Sequence, residues 1–293
     1  MPLSVALPLE STLLKLSWRN TNMIPFLILI SIIDLKTQAK DFSLKSIWQN
    51  KNTRIGIMQL SLSFNLVQIF FILSGQYTIM SHASIFSNLG GAMLVIHRVI
   101  LRQPTHRWEY SGVIIAMVGS IISVLDKDVK KIDESHQNIP FGDICGIISS
   151  LFAAYFFQKN SQVIQKVPSS IVVCLTIIIS EILLVIFGLI FDTFTLDFNT
   201  HTGVFGFISK EYFLYTFFAL GLFCGAMSIY TATLVLKYYP AVVLLITSLF
   251  EPLLCQAISC LMNIDKAPGL MTYLGGMLTL IGILGSGLWW LAP

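Results

Sequence analysis

Eight stretches, near positions 55–75, 79–101, 108–125, 142–160, 169–191, 211–233, 240–262 and 270–291, each run for about 20 residues with apolar side chains and almost no charge. The connectors between them are mostly short and carry the charges and turn formers, as in "RQPTHRW", "YYPA" and "NIDKAPG". About 20 apolar residues in a helix span the hydrocarbon core of a bilayer. Without water to satisfy backbone groups, a lipid-exposed segment must close its own hydrogen bonds, which selects helices. The chain is 55 % hydrophobic and 11 % charged, with mean hydropathy +0.78. A soluble domain carries roughly 25 % charged residues, so the expected class is an all-α polytopic membrane bundle. The net charge of +3 is small and scattered and does not point to nucleic acid. The five cysteines all lie in apolar stretches without a CxxC pair and read as small buried hydrophobes.

The first apolar run, Met23 to Ile33, has only eleven residues, about 16 Å of helix. To span, it must extend back through "STLLKLSWRNTN", which brings Lys15 and Arg19 into the membrane or its edge. With that extension nine transmembrane helices are expected. If the C-terminus is cytosolic and the helices alternate, eleven basic residues fall in the cytosolic connectors: Lys36, Lys40, Lys45, Lys51, Arg54, Arg98, Arg102, Arg107, Lys159, Lys166 and Lys237. Five fall opposite: Lys127, Lys130, Lys131, Lys210 and Lys266. The bias of basic residues toward the cytosol favours this orientation and puts the N-terminus on the other side.

The sequence also repeats. Tyr110, Gly112 and Gly119 match Tyr273, Gly275 and Gly282, each 163 positions on. Both sets close a pair of helices that opens on a turn-like start, "MSHASIF" in one and "YYPAVVL" in the other. An odd number of spans per repeat turns the halves opposite in the membrane, the inverted-repeat logic of secondary transporters. The expected division is 1–126 as a first repeat of four helices, 127–140 as a charged loop and 141–293 as a second repeat of five. The glycines also have a plainer role, since seven residues apart on one face they permit close helix packing.

The order of these features resembles the drug/metabolite transporter superfamily, in chains built from two EamA-type repeats, with nucleotide-sugar transporters among the relatives. The match is carried by "SHASIFSNLGGAMLVIHRVILRQPTHRWEYSGVIIAMVGSIISVLD" and by "KYYPAVVLLITSLFEPLLCQAISCLMNIDKAPGLMTYLGGMLTLIGILG". "FEPLL" (Phe250 to Leu254) resembles the family's Glu-Pro in its penultimate helix, and "FGDICGIISSLFAAYFFQKNSQ" the start of its second repeat. "LKLSWRNTNMIPFLILI" resembles the second helix of its first repeat. The family usually has ten helices, five per repeat, so the resemblance implies that the first is missing here.

A charge at mid-membrane costs roughly 2.5–3.5 kcal/mol on insertion scales, so such residues face partners or cavities. Lys15 and Arg19, four apart on one face, read as an anion-binding pair or as side chains snorkelling to the interface beside Trp18. Glu251 precedes Pro252, which frees backbone carbonyls, and Thr247 stands one turn earlier on the same face. Glu181 is equally deep, with Ser180 beside it pointing elsewhere. Ser61, Asn65 and Gln68 form one polar stripe, and Ser81, Ser84 and Asn88 another. Such stripes line a substrate path or bond one helix to the next. Glu109 reads as a helix-start charge.

Lys15, Arg19, Asn65, Gln68, Ser84, Asn88, Glu181, Thr247 and Glu251 are therefore the candidate substrate-binding residues. No metalloprotease, phosphate-loop, nucleophile-elbow or metal-spaced His/Cys motif occurs, so no enzyme, metal or cofactor is expected. The expected function is secondary transport of a small polar metabolite by alternating access; a non-transporting scaffold or receptor, or an inactive truncated transporter, is the alternative. The expected partners are the bilayer, a small-molecule substrate and, optionally, a second copy of the chain.

Overall fold

The computed structural model describes residues 7, 9, 11–37, 42–78, 80–100, 107–125, 138–192, 194–248, 251–261 and 269–291. Among them the chain is helical throughout, and the one β-feature is an isolated bridge between Thr195 and Gly203. The helices are α1 (Thr12–Thr37), α2 (Lys45–Gln49), α3 (Lys51–Tyr77), α4 (Met80–Ser87), α5 (Gly90–Ile100), α6 (Arg107–Val124), α7 (Ile139–Val163), α8 (Ser169–Phe191), α9 (Tyr215–Val235), α10 (Ala241–Thr247), α11 (Glu251–Leu261) and α12 (Leu270–Leu291). Five of them, α1, α3, α7, α8 and α9, are long and apolar enough to cross a membrane. The extension of the first span back through Lys15 and Arg19 is present, because α1 runs unbroken from Thr12 past Pro25. Most of the charged loop 127–140, the N-terminal residues 1–6 and the side chains of Ser81, Glu109 and Thr247 lie outside the described residues.

One of the expected single spans is broken. The stretch 79–101 divides into α4 and α5. At the break the Asn88 and Leu89 amides bond back to Ile85 and Phe86, a tightened turn, before Gly90 and Gly91 restart the helix. Of the stretch 240–262, α10 and α11 are described, and 249–250 between them lie outside the described residues.

The chain forms two compact units. One gathers 70–154 and 239–293. Its tightest element pair is α6 against α12, and the reason is glycine. A Cβ on Gly119 would come within 2.6 Å of the Gly275 carbonyl and the Thr279 amide. A Cβ on Gly282 would come within 2.6 Å of the Gly112 carbonyl and the Ala116 amide. The backbones therefore touch along the crossing, and the Thr279 hydroxyl donates to Gly275 O at 2.9 Å within its own helix. In the same unit α4 packs on α11 and α5 on α10. The N-terminal part of α7 lies against the end of α3, where Gly142 leaves no room beyond Thr78 and the Tyr77 and Phe141 rings meet edge-on.

The second unit gathers 7–69 and 155–238. Here α1 packs against both α8 and α9. Trp18, fully buried, donates its indole N–H to Gly203 O at 3.0 Å and sits 5.8 Å from the Tyr212 ring, which ties the 194–213 connection over α1. Gly221 and Gly225 on α9 abut Asn22 and Met23 of α1. From Tyr215 to Met227 α9 winds as a π-helix. Outward faces are apolar and open: Ile28, Leu29, Ile32 and Ile33 on α1, Ile182, Ile186, Phe187 and Ile190 on α8, Leu274, Met277 and Ile281 on α12. Apolar surface on this scale marks contact with lipid or protein rather than water.

Candidate functional site

In the second unit three helix midpoints carry polar side chains. Asn65 stands near the centre of α3, Ser180 and Glu181 at the centre of α8, and Cys224 near the centre of α9. The first turns of α1 bring Lys15, Ser17, Arg19, Asn20 and Thr21 toward them. Three consecutive polar residues, Arg19, Asn20 and Thr21, cannot share one face of α1, so the helix serves more than one neighbour.

Toward α8, Ser17 Oγ donates to Glu181 Oε1 at 2.6 Å and Thr21 Oγ1 donates to the same oxygen at 3.1 Å. The Asn20 side chain also stands beside this carboxylate. Toward α3 and α9, Arg19 acts as a fork, with Nη1 donating to Gln68 Oε1 at 3.1 Å and Nη2 to Cys224 O at 3.0 Å. Gln68 Nε2 reaches Asn20 Oδ1 at 3.4 Å, so Arg19 is linked through Gln68 to Asn20, whose side chain stands beside the Glu181 carboxylate. Between α3 and α8, Asn65 Nδ2 donates to Ser180 O at 2.9 Å, while Ser180 Oγ donates to Asn65 Oδ1. Ser180 thus faces α3 and Glu181 faces α1.

The group is closed. Asn20 is 0 %, Gln68 2 %, Asn65 6 % and Glu181 8 % exposed, while Arg19 is half-buried. Glu181 Oε2, an acceptor, and Asn20 Nδ2, a donor, are among the buried atoms here with no hydrogen-bond partner among the described residues. An unsatisfied buried polar atom costs about 1–3 kcal/mol, so this pair is a reservoir for a group that both accepts and donates, such as a hydroxyl. Lys15, 5 % exposed, is buried rather than snorkelling.

The remaining candidates fall in the first unit. Asn88 Nδ2 donates to Glu251 Oε2 at 3.2 Å, joining the turn after α4 to the described start of α11. Ser84 is fully buried on α4, with no partner for its hydroxyl among the described residues. Thr247 ends α10, its side chain outside the described residues. Ser61 bonds its own helix at Ile57 O and so does not reach a neighbour. Of the residues named from the sequence, the structure places Arg19, Gln68, Asn65 and Glu181 in one unit's cluster and Asn88 with Glu251 in the other unit; the sequence reading named them without this grouping. It missed Ser17, Asn20, Thr21 and the Cys224 carbonyl, all within hydrogen-bond reach of residues it named.

No protein-family model matches the chain, and no curated protein matches it. Among solved structures 24 chains match. One, described as "Crystal structure of protein", is similar with a TM-score of 0.68 and 12 % identity over 98 % of this chain and 90 % of that one. At that identity the likeness concerns the fold alone, and over nearly the full length of both chains.

Proposed function

We propose that the chain is a secondary transporter of a small polar metabolite, related to the drug/metabolite transporters and built as an inverted repeat of nine membrane-spanning helices. The observation that carries the reading is the closed cluster of Arg19, Gln68, Asn20 and Glu181 at mid-helix depth, in which Asn20 Nδ2 and Glu181 Oε2 have no hydrogen-bond partner among the described residues. Charged groups at that depth are costly and are retained where they bind cargo or ions. In this reading the described arrangement is an occluded state, Arg19 holds an anionic or carbonyl group of the solute, and Glu181 with Asn20 takes a hydroxyl or a coupling proton.

The repeat is supported by the contacts themselves. Gly119 packs on Gly275 and Thr279, and the positions 163 residues away, Gly282 against Gly112 and Ala116, do the same in reverse. Asn88 and Glu251 are also 163 apart and bond to each other. Reciprocal contacts of this kind are what a local two-fold relation produces. In this reading α4 with α5 makes one span broken at 88–89, the form taken by a transporter's discontinuous helices, and α10 with α11 makes its counterpart.

A second reading, a non-transporting scaffold, draws on the same closure, because a filled polar core needs no solute. Uptake separates the two. Proteoliposomes holding the purified chain are assayed against a panel of labelled sugars, amino acids, nucleotide sugars and organic phosphates. Transport predicts saturable uptake of at least one, reduced tenfold or more in Arg19→Ala. Uptake of none, or equal uptake by the variant, sinks the proposal.

A further inference from the structure

The second unit holds a cavity of about 310 Å³ away from this cluster. It lies at the other end of the same helices, where α1, α8 and α9 meet the α7–α8 connection. Asp34 is fifteen residues beyond Arg19 on α1, and Ser169 twelve before Glu181 on α8, so about 18–22 Å separates the two sites along the helices. The volume falls at the lower end of small-molecule sites, about 300–1,000 Å³.

Its chemistry is mixed. Lys166 and Lys237 bring two ammonium groups, Gln165 an amide and Ser169 the first turn of α8, whose dipole is positive at that end. Asp34 brings a carboxylate, which accepts from the Ser170 hydroxyl and stands beside Tyr230. Among the described residues Asp34, Lys166 and Lys237 make no ion pair with one another or with other side chains. Opposite charges set around one cavity without neutralising each other leave a site that a ligand of both signs completes. A pure anion meets Asp34, and a pure cation meets two lysines.

We propose that this cavity binds a phosphate carrying a nearby ammonium group, the chemistry of phosphoethanolamine, free or as a phospholipid headgroup. The phosphate lies between Lys166, Lys237 and the start of α8, and the ammonium lies against Asp34 and Tyr230. The net charges match for the free compound: two lysines and one aspartate sum to +1, and a phosphate monoester of about −1.5 to −2 with one ammonium leaves about −0.5 to −1. A headgroup's diester is a neutral zwitterion, and there the match is of each charge to its own partner. The site does not depend on transport; only its lipid form rests on the membrane reading.

The test uses the full chain in detergent, with binding of phosphoethanolamine followed by calorimetry and by the shift in thermal unfolding. Ethanolamine and inorganic phosphate serve as half-ligands. The expected result is saturable binding at least tenfold tighter than either half-ligand. Lys166→Gln and Lys237→Gln each weaken it about tenfold. Asp34→Asn, which keeps an acceptor for Ser170, weakens phosphoethanolamine by a similar factor and leaves inorganic phosphate unchanged or tighter. Native mass spectrometry from nanodiscs of phosphatidylethanolamine or phosphatidylcholine gives the source. Retained phosphatidylethanolamine that resists the free compound assigns a headgroup, and binding of the free compound in phosphatidylcholine discs assigns a soluble ligand. Phosphate binding as tightly as phosphoethanolamine, an unaffected Asp34→Asn, or neither form held overturns the proposal. Uptake is not measured, so failure here is separate from failure of the transport reading.

Discussion

One oxygen of Glu181 takes two hydroxyl hydrogen bonds, and the other takes none among the described residues. That asymmetry makes two substitutions informative. In Glu181→Gln the amide oxygen still accepts from Ser17 and Thr21, so stability changes by less than about 1 kcal/mol. In Glu181→Ala both donors lose their acceptor in a buried place, at a cost of about 2 kcal/mol. Thermal unfolding in detergent distinguishes them, and equal stability of the two variants contradicts the geometry. Arg19→Lys is expected to behave as a loss of function despite keeping the charge. A single ammonium cannot reproduce the fork that reaches both Gln68 on α3 and Cys224 O on α9. The assay is uptake, with at least a tenfold fall expected. Much of this cluster was legible in the sequence, since Arg19, Asn65, Gln68 and Glu181 stand out against apolar helices. Ser17, Asn20 and Thr21 were hidden for the opposite reason. The segment "STLLKLSWRNTN" is polar on every side, so no stripe separates bonded residues from the rest. The Cys224 carbonyl had no signal at all, because a backbone acceptor on a π-wound segment leaves no mark in side-chain chemistry.

Among the elements, the α6–α12 crossing and the span broken at 88–89 carry the consequences. The crossing was foreshadowed by matched glycines, and their close-packing role is the one the structure has. Gly119→Leu or Gly282→Leu must drive a side chain into backbone only 2.6 Å from the first added carbon. Overpacking costs typically 1–3 kcal/mol, and here no flexible neighbour can yield, so the upper end is expected. Val118→Leu, on the open face of α6, should be neutral. Thermal unfolding of the three checks both statements. The break at 88–89 was not foreseen, because hydropathy is continuous across it and a window of about 20 residues averages the turn away. What marked it was local, Gly90 with Gly91. At the Asn88–Glu251 contact, Asn88→Asp places a second carboxylate beside Glu251 and should lower stability. Asn88→Glu with Glu251→Asn restores one donor and one acceptor with the partners exchanged. If the two positions are equivalent, the exchange recovers most of the loss of Glu251→Asn alone. No recovery in thermal unfolding argues against their equivalence.

At the scale of the whole molecule, the surface of each unit bears on which solvent surrounds it, and the connectors supply a test of how it is oriented. Five helices long enough to span, apolar outer faces and polar groups turned inward are the reverse of a water-soluble chain. The connectors then carry the asymmetry. Residues 34–54 hold Lys36, Lys40, Lys45, Lys51 and Arg54, whereas 192–210 holds Lys210 as its one basic residue apart from His201. α1 and α8 end at these connectors, so the two lie on opposite sides if the intervening spans alternate. Basic clusters stay in the cytosol because translocating them is unfavourable during insertion. Single cysteines at Ser43 and Thr200, in a background with the five native cysteines replaced, report this directly. An impermeant thiol reagent applied from outside sealed cells or organelle vesicles of known sidedness should reach only the side that faces it. Ser43→Cys is expected to label from the cytosolic side and Thr200→Cys from the opposite side. Labelling of both from one side breaks the odd number of spans between them. Labelling of each from the reverse side keeps the count and inverts the orientation, placing the Asp34–Lys166–Lys237 cavity away from the cytosol.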